Sequence, residues 1–233
     1  MPRKLRGSLQ SGWKTGAVRA QSRSWPSSRA ASMPEPPLFS PAVVNAHRGM
    51  VVEIPLPLGV MPGNVPAELL RQVYAAAAMA PTSMNTQPTR YVFLTTEQAK
   101  ARLMPALSPG TQEKTRSAPV TVIVATDTRF YEHMPQIWHV AGAKENFESN
   151  TTLATNTAIR NGTMGGAYFL LAARAVGLDC GPMSGVDLVK VNAEFFPDGR
   201  CSANFLINLG YADRSKEFKR NPRLSFEQAC TVV

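Results

Sequence analysis

Hydrophobic positions recur at helical spacing in several parts of this chain. After Pro66 and an acidic first turn, apolar residues fall on one helical face until Pro81 stops the run. The longest such pattern covers residues 152–176 and is followed by Gly177, a residue type common just after helix ends. Together these patterns predict helices at 66–80, 97–107, 152–176 and 186–195.

Shorter runs are rich in β-branched and aromatic residues instead. They predict strands at 90–95, 119–126 and 203–209, and the second run is apolar enough to be buried on both faces. Because helices are interspersed with few strands, the pattern favours a single domain of the mixed α/β or α+β class.

The longest predicted helix contains a cluster of glycines, Gly162, Gly165 and Gly166. Each glycine costs a helix interior about 1 kcal/mol relative to alanine. The cluster is therefore explained either by the close approach of another backbone or a flat ligand, or by a helix that is weak or kinked at this point.

The positive charge of the chain is concentrated before the predicted domain. The net charge is +9, and residues 1–32 contribute +7 of it with seven basic and no acidic residues. The rest of the chain is nearly neutral, so we expect no nucleic-acid partner. Residues 34–66 are dense in proline, which predicts that residues 1–64 are disordered or irregular and that the domain covers 65–233.

The N-terminal composition also bears on location. Residues 1–32 have no apolar core, which excludes a secretory signal peptide, and no run in the chain is long enough to span a membrane. We expect a cytoplasmic protein without a membrane partner. An arginine- and serine-rich organellar transit peptide, a solvated leader and a start codon placed too far upstream all remain open.

The common catalytic motifs are missing. The sequence contains no GxGxxG after a strand, no GxxxxGK[ST], no GxSxG, no HExxH and no CxxC. This pattern argues against a Rossmann domain, a P-loop, a serine hydrolase and a zinc site.

Two polar segments stand out. Residues 81–88 read PTSMNTQP and place hydroxyl and amide side chains between two prolines, which suits a flat polar heterocycle better than a metal or a bare phosphate. Residues 181–185 read GPMSG, and their glycines allow backbone N–H groups to approach a ligand.

These segments together resemble the FMN-dependent nitroreductase family. The family's loop of the form Pro-Ser/Thr-Ser-x-Asn-x-Gln-Pro matches residues 81–88, and residues 181–185 and 222–227 (PRLSFE) match in the same order. The similarity covers residue 65 to the C-terminus. It is strongest to the branch formed by the malonic semialdehyde reductases of pyrimidine degradation and their NADH dehydrogenase/NAD(P)H nitroreductase relatives.

The resemblance implies a fold, an assembly and a chemistry. The fold is α+β, with a central, mainly antiparallel sheet flanked by helices, and the assembly is a homodimer with FMN at the subunit interface. NADH or NADPH and a small carbonyl or nitro substrate use one pocket in turn. The flavin N5 carries the hydride, so no catalytic side chain is expected.

The family's cofactor residues carry over onto this chain position by position. Ser83, Asn85 and Gln87 would lie along the isoalloxazine and ribityl chain, with Arg90 just beyond. Pro182, Met183, Ser184 and Gly185 would approach the N5 edge. The phosphate would be held by Arg223, with Arg220 or Lys219, and by Arg48 in residues 45–49, where the family's N-terminal phosphate segment is only partly matched.

Three functions are compatible with these residues. The leading one is reduction of malonic semialdehyde (3-oxopropanoate) to 3-hydroxypropionate by an FMN-dependent NAD(P)H oxidoreductase. The alternatives are a broad nitroaromatic or quinone reductase, and a flavin-binding or cofactor-free protein inactivated by its divergent N-terminus. A carboxylate substrate needs a fixed cation near the flavin, for which the sequence offers Arg90, Arg116 and Arg160.

Overall fold

The computed structural model describes residues 60–61, 64–213, 215 and 221–233. The predictions for residues 1–59 and for Arg48, Lys219 and Arg220 lie outside the described residues.

The described strands form one antiparallel sheet. In it β3 lies between β2 and β5, and β5 also pairs with β4 and β1. The strands are β1 (Val60–Met61), β2 (Thr89–Leu94), β3 (Val120–Asp127), β4 (Asp179–Met183) and β5 (Cys201–Ala212). The predicted α+β class with an antiparallel sheet is confirmed.

Helices make up most of the remaining described chain. They are α1 (Ala67–Ala77), α2 (Glu97–Leu103), α3 (Pro109–Ser117), α4 (Met134–Ile137), α5 (Ala143–Ser149), α6 (Thr151–Ala175), α7 (Leu188–Phe195) and α8 (Phe226–Ala229). Single 3₁₀ turns lie at Ser83–Asn85, Met104–Ala106 and Phe130–His133.

Several elements differ from the sequence prediction. The predicted helix 97–107 ends its α-helical part at Leu103, and a second helix, α3, begins at Pro109, which was interpreted as a stop. Proline is well suited to the first turn of a helix, so the same residue can end one element and begin the next. The short polar helix α5 was not predicted.

The strand β4 was also not predicted, because its sequence contains Gly181 and Pro182. It pairs with β5 alone among the described strands, and an edge strand tolerates a residue that lacks an N–H group. In the segment expected to be irregular, β1 pairs Val60 with Ala212 and Met61 with Tyr211.

The two faces of the sheet cover separate parts of the core, as the alternation of side chains along a strand requires. On one face, Val122 and Val124 pack with Val73 of α1 and Phe169 of α6. On the other face, Ile123 packs with helices α2 and α7. A third cluster, around Phe130 and Phe147, joins α5 to the first half of α6.

The glycines of α6 lie where the helix meets the sheet. A Cβ atom would lie 2.5 Å from Thr126 Oγ1 at Gly162, 2.1 Å from Thr89 Oγ1 at Gly165 and 2.5 Å from Phe205 Cζ at Gly166. The helix runs without a break from Thr151 to Ala175. The glycines accommodate side chains of the sheet, where a backbone or a flat ligand was expected.

Candidate functional site

The loop at 81–88 has a left-handed backbone that is rare for its residue types. Met84, Asn85 and Gln87 have φ angles of 52°, 55° and 43°, and they are the only described residues other than glycine with positive φ. Such conformations cost on the order of 1–3 kcal/mol each and persist only where the surroundings enforce them, which is most often at functional sites. Asparagine tolerates this region better than methionine or glutamine.

The loop is fastened to α6. Ser83 donates its backbone N–H to Asn161 Oδ1 at 2.8 Å, and the buried Asn161 in turn donates to the Thr157 carbonyl. Asn161 was not predicted from the sequence, since its role depends on a contact across 78 residues.

The three predicted residues of this loop, Ser83, Asn85 and Gln87, all lie on its exposed side, while Thr86 and Pro88 between and after them are buried. Asn85 Nδ2 donates to the Ile137 carbonyl at 2.8 Å, and Gln87 Nε2 donates to Asn85 Oδ1 at 2.9 Å. The hydroxyl of Ser83 and the amide oxygen of Gln87 make no hydrogen bond with any described residue. The loop thus presents neutral polar groups to solvent on a backbone that is already ordered.

Arg90, which follows the loop on β2, is already engaged with the protein. Its guanidinium donates to the carbonyls of Gln87 at 2.9 Å and Thr89 at 3.0 Å, and to Asp127 Oδ2 at 2.6 Å. This geometry gives Arg90 a role in holding the loop.

The second predicted segment lies at the end of β4. Met183 Sδ accepts a hydrogen bond from Asn208 Nδ2 at 3.6 Å, and the Gly185 carbonyl accepts one from the Ser108 backbone at 3.2 Å. A Cβ atom on Gly185 would lie 3.0 Å from Ser108 Oγ, so the lack of a side chain there is explained by a neighbour within the chain. Ser184 and Gly185 are exposed.

The two predicted halves of the site have separate anchors within the chain. The loop at 81–88 is anchored to α6 and α4, whereas residues 182–185 are anchored to β5 and to the start of α3. No hydrogen bond between described residues connects them.

Arg223 lies in the exposed C-terminal stretch of the chain. Its NH1 donates to the carbonyls of Asn221 and Pro222, and its remaining nitrogens make no hydrogen bond with the part of the chain described here. They are available to an anion, as the phosphate prediction requires.

None of the predicted residues lines a cavity of about 340 Å³. It opens between the ends of β3 and β5 and the first half of α6, and its wall carries neutral hydroxyl, amide and apolar groups. Its lining includes Thr126, Thr155, Ala158, Ile159, Ser202 and Asn204. Because these residues come from three distant stretches of sequence, no local pattern could have pointed to them.

Metal binding and membrane insertion find no support in the described residues. They contain no cluster of three or more His, Cys, Asp or Glu side chains able to hold a metal ion. None of the helices among them is long and apolar enough to cross a membrane.

Sequence comparison identifies the family of the chain. The model of the nitroreductase family matches residues 61–211, and the chain belongs to this family. A provisionally named NADH dehydrogenase/NAD(P)H nitroreductase of Polynucleobacter asymbioticus is 49% identical over 166 residues, which cover 71% of this chain and 85% of the relative. A protein of the same name from Stenotrophomonas maltophilia is 47% identical over 175 residues, or 75% of this chain and 89% of the relative.

Solved structures share the fold. A provisionally named nitroreductase of Bacillus subtilis superposes with a TM-score of 0.71 at 21% identity, covering 82% of this chain and all 100% of its own. One from Exiguobacterium sibiricum, solved in complex with FMN, has a TM-score of 0.68 at 18% identity and covers 76% of this chain and 92% of its own. The family resemblance and the nitroreductase-like fold are confirmed.

Proposed function

We propose that this protein is an FMN-dependent NAD(P)H oxidoreductase. The observation that carries the proposal is the 81–88 loop, whose left-handed backbone presents Ser83, Asn85 and Gln87 on one exposed side. Neutral donors and acceptors of this kind fit the polar edge of an isoalloxazine ring. The FMN in a structural neighbour supports the same cofactor, and the name of the relatives supports NADH or NADPH as the co-substrate.

The two halves of the site suggest that the FMN site forms between two copies of the chain. In this proposal one copy supplies the 81–88 loop and the other Pro182, Met183, Ser184 and Gly185, which no hydrogen bond between described residues connects to that loop. The outward face of α6 exposes apolar side chains that a second copy could cover, and an exposed apolar patch of this kind is typical of an interface. These side chains are Tyr168 and Leu171.

The chemistry divides between the cofactor and the chain. Bound FMN supplies hydride transfer, from NADH or NADPH to the substrate. Ser83 and Gln87 orient the ring with the polar groups that they leave free, and Arg223 offers a guanidinium to the phosphate. Arg48 and Arg220 complete the phosphate site in this proposal.

For the substrate we propose a small carbonyl acid, malonic semialdehyde, with 3-hydroxypropionate as the product. Of the three candidate cations, Arg90 is paired with Asp127 and Arg116 with Glu113. Arg160 is exposed and makes no ion pair with any described residue. It directly precedes Asn161, the anchor of the loop, so it can hold a carboxylate beside the cofactor.

The visible spectrum of the purified full-length protein tests the cofactor. We expect the absorption of an oxidised flavin, release of FMN on denaturation, and bleaching by NADH or NADPH without oxygen. A colourless protein that binds no added FMN would favour the third function, a cofactor-free protein.

Replacing Arg160 tests the substrate. In Arg160→Gln we expect KM for malonic semialdehyde to rise at least about tenfold, because a charge-assisted hydrogen bond is lost, while turnover of a neutral quinone is unchanged. Arg116→Gln is the matched control and should change neither. Equal KM values in Arg160→Gln and wild type, or better turnover of nitroaromatics than of the acid, would favour the broad reductase.

A further inference from the structure

The left-handed loop at 81–88 is held at its C-terminal end by residues outside it. The Pro88 carbonyl accepts the backbone N–H of Asp127 at 2.8 Å, and the Gln87 carbonyl accepts Arg90 NH1 at 2.9 Å. Both contacts lead to Asp127, because Arg90 NH2 donates to Asp127 Oδ2 at 2.6 Å. One residue at the end of β3 therefore holds the loop through its backbone and through its side chain.

The Asp127 carboxylate is buried and fully surrounded by donors. Its side chain is 2% exposed. Besides Arg90, it accepts Arg200 Nε at 2.8 Å, Arg200 NH2 at 3.1 Å and the Arg129 backbone N–H at 2.9 Å, and His133 Nε2 lies 3.7 Å away. A carboxylate with so many donors has a fixed position, and it fixes the guanidinium that reaches the loop.

We propose that Asp127 and Arg90 are positioning residues for the loop: Asp127 orients Arg90, and Arg90 holds the Gln87 backbone so that Ser83, Asn85 and Gln87 keep their exposed arrangement. The part of this proposal that concerns flavin binding rests on the function proposed above. The part that concerns the conformation of the loop is independent of that function. Arg90 thereby changes from a residue that contacts the cofactor to one that prepares its site.

Arg200 provides an internal comparison, because it binds the same carboxylate from the other side. Its guanidinium bonds Asp127, the Arg129 carbonyl and Glu132, and it makes no hydrogen bond to residues 81–88. Loss of Arg200 therefore removes a similar ion pair without removing a contact to the loop.

The experiment compares Arg90→Gln, Asp127→Asn and Arg200→Gln in the full-length chain by amide hydrogen exchange without flavin. The informative amides are those of Ser83, Asn85, Thr86 and Gln87, each hydrogen-bonded in this structure. We expect Arg90→Gln and Asp127→Asn to speed their exchange at least about tenfold, and Arg200→Gln to change it less than about twofold while lowering the melting temperature. Unchanged exchange in Arg90→Gln, or an equal rise in Arg200→Gln, would overturn the proposal.

A second measurement separates this proposal from the proposed cofactor. By fluorescence titration, FMN affinity should fall about fivefold or more in Arg90→Gln and stay within about twofold of wild type in Arg200→Gln. The double variant with Asp127→Asn should exchange no faster than Arg90→Gln alone, because both act through one contact. If wild type binds no FMN but the exchange pattern holds, the cofactor proposal fails and the positioning role stands. If FMN binds but Arg90→Gln keeps the wild-type affinity, the role of this residue in the cofactor site is refuted.

Discussion

Helix α6 presents three glycines to the sheet and exposes large apolar side chains on another face. On the inner face, Gly162, Gly165 and Gly166 let the helix approach the strands so closely that added Cβ atoms would overlap sheet side chains. The approach is reinforced by hydrogen bonds, since Thr89 Oγ1 donates to the Gly162 carbonyl and Tyr91 Oη donates to the Gly165 carbonyl. Each of these three glycines thus has a visible reason within the chain.

The outer face has no such explanation in one copy of the chain. Tyr168 is 38% exposed and Leu171 is 47% exposed, although both lie on the longest helix of the described part. The difference shows that the residues on two faces of one helix can serve two different contacts. The inner face is fitted to the sheet, and the outer face is fitted, under the proposal above, to a second copy.

The largest effect should follow from a charge on the outer face. In Leu171→Glu the proposed interface would bury an unpaired carboxylate from each copy, which costs about 3 kcal/mol or more and so weakens dimerisation at least about a hundredfold. Analytical ultracentrifugation should show a dimer for wild type and a monomer for the variant. FMN binding should fall with it, because under the proposal above each copy holds half of the site.

Val189→Glu is the control for this change, since Val189 is 79% exposed on α7, away from α6. It should leave the oligomeric state unchanged. A monomeric wild type, or a Leu171→Glu variant that stays dimeric, would show that the outer face is not the interface.

The next effect concerns the inner face, at Gly165. In Gly165→Ala the new Cβ would lie 2.1 Å from Thr89 Oγ1 and 3.0 Å from Thr89 Cβ, so a rotation of the threonine side chain cannot relieve the overlap. We expect a loss of about 1–3 kcal/mol in the free energy of unfolding, or roughly 2–10 °C in Tm. Gly110→Ala, in the first turn of α3 with nothing within 4 Å, should be neutral or stabilising. Equal Tm values for Gly165→Ala and wild type would contradict the close packing of α6 on β2.

The inner face also shows what the sequence can and cannot predict. The ends of α6, β2 and β3 lie within one residue of those expected, because long apolar patterns are little affected by their neighbours. Element β4 was missed because Pro182 argues against a strand, and only the pairing partner shows that this strand can accept it.

In the candidate site, too, some features could be predicted from the sequence and others could not. The 81–88 loop was predicted from its local motif, and its three polar residues are exposed in the structure. Its anchors Asn161 and Asp127 were not predicted, because contacts made far along the chain leave no local signal. The partners of Arg90 within the chain, Gln87 and Asp127, were missed for the same reason, and its assignment to the cofactor stays a prediction.

A smaller effect is expected at Gly162. In Gly162→Ala the new Cβ would meet Thr126 Oγ1 at 2.5 Å, but Thr126 Cβ only at 3.4 Å. The overlap therefore lies in the outer part of one side chain, and we expect a loss of about 1 kcal/mol. Thr126→Ala removes the clashing atoms, so the double variant should recover at least about 0.5 kcal/mol relative to the sum of the single changes. Thermal unfolding of the four proteins measures this, and strictly additive values would place the strain elsewhere.

The smallest effect is the reactivity of Cys180, which lies under the inner face with its thiol 3.8 Å from the Leu170 carbonyl. Burial raises the pKa of this thiol to about 12, so at pH 8 only on the order of one molecule in ten thousand carries the reactive thiolate. Exposed Cys230 should react with a disulfide reagent within minutes, half-buried Cys201 more slowly, and Cys180 only on unfolding. Above pH 9 the unfolded thiol loses its proton while the folded one keeps it, so this group makes the fold less stable as pH rises. Peptide mass spectrometry after timed labelling reads out each cysteine separately. If Cys180 is labelled at the rate of Cys230 in the folded protein, α6 opens from the sheet far more often than its close packing implies, and the contrast between its two faces would have to be abandoned.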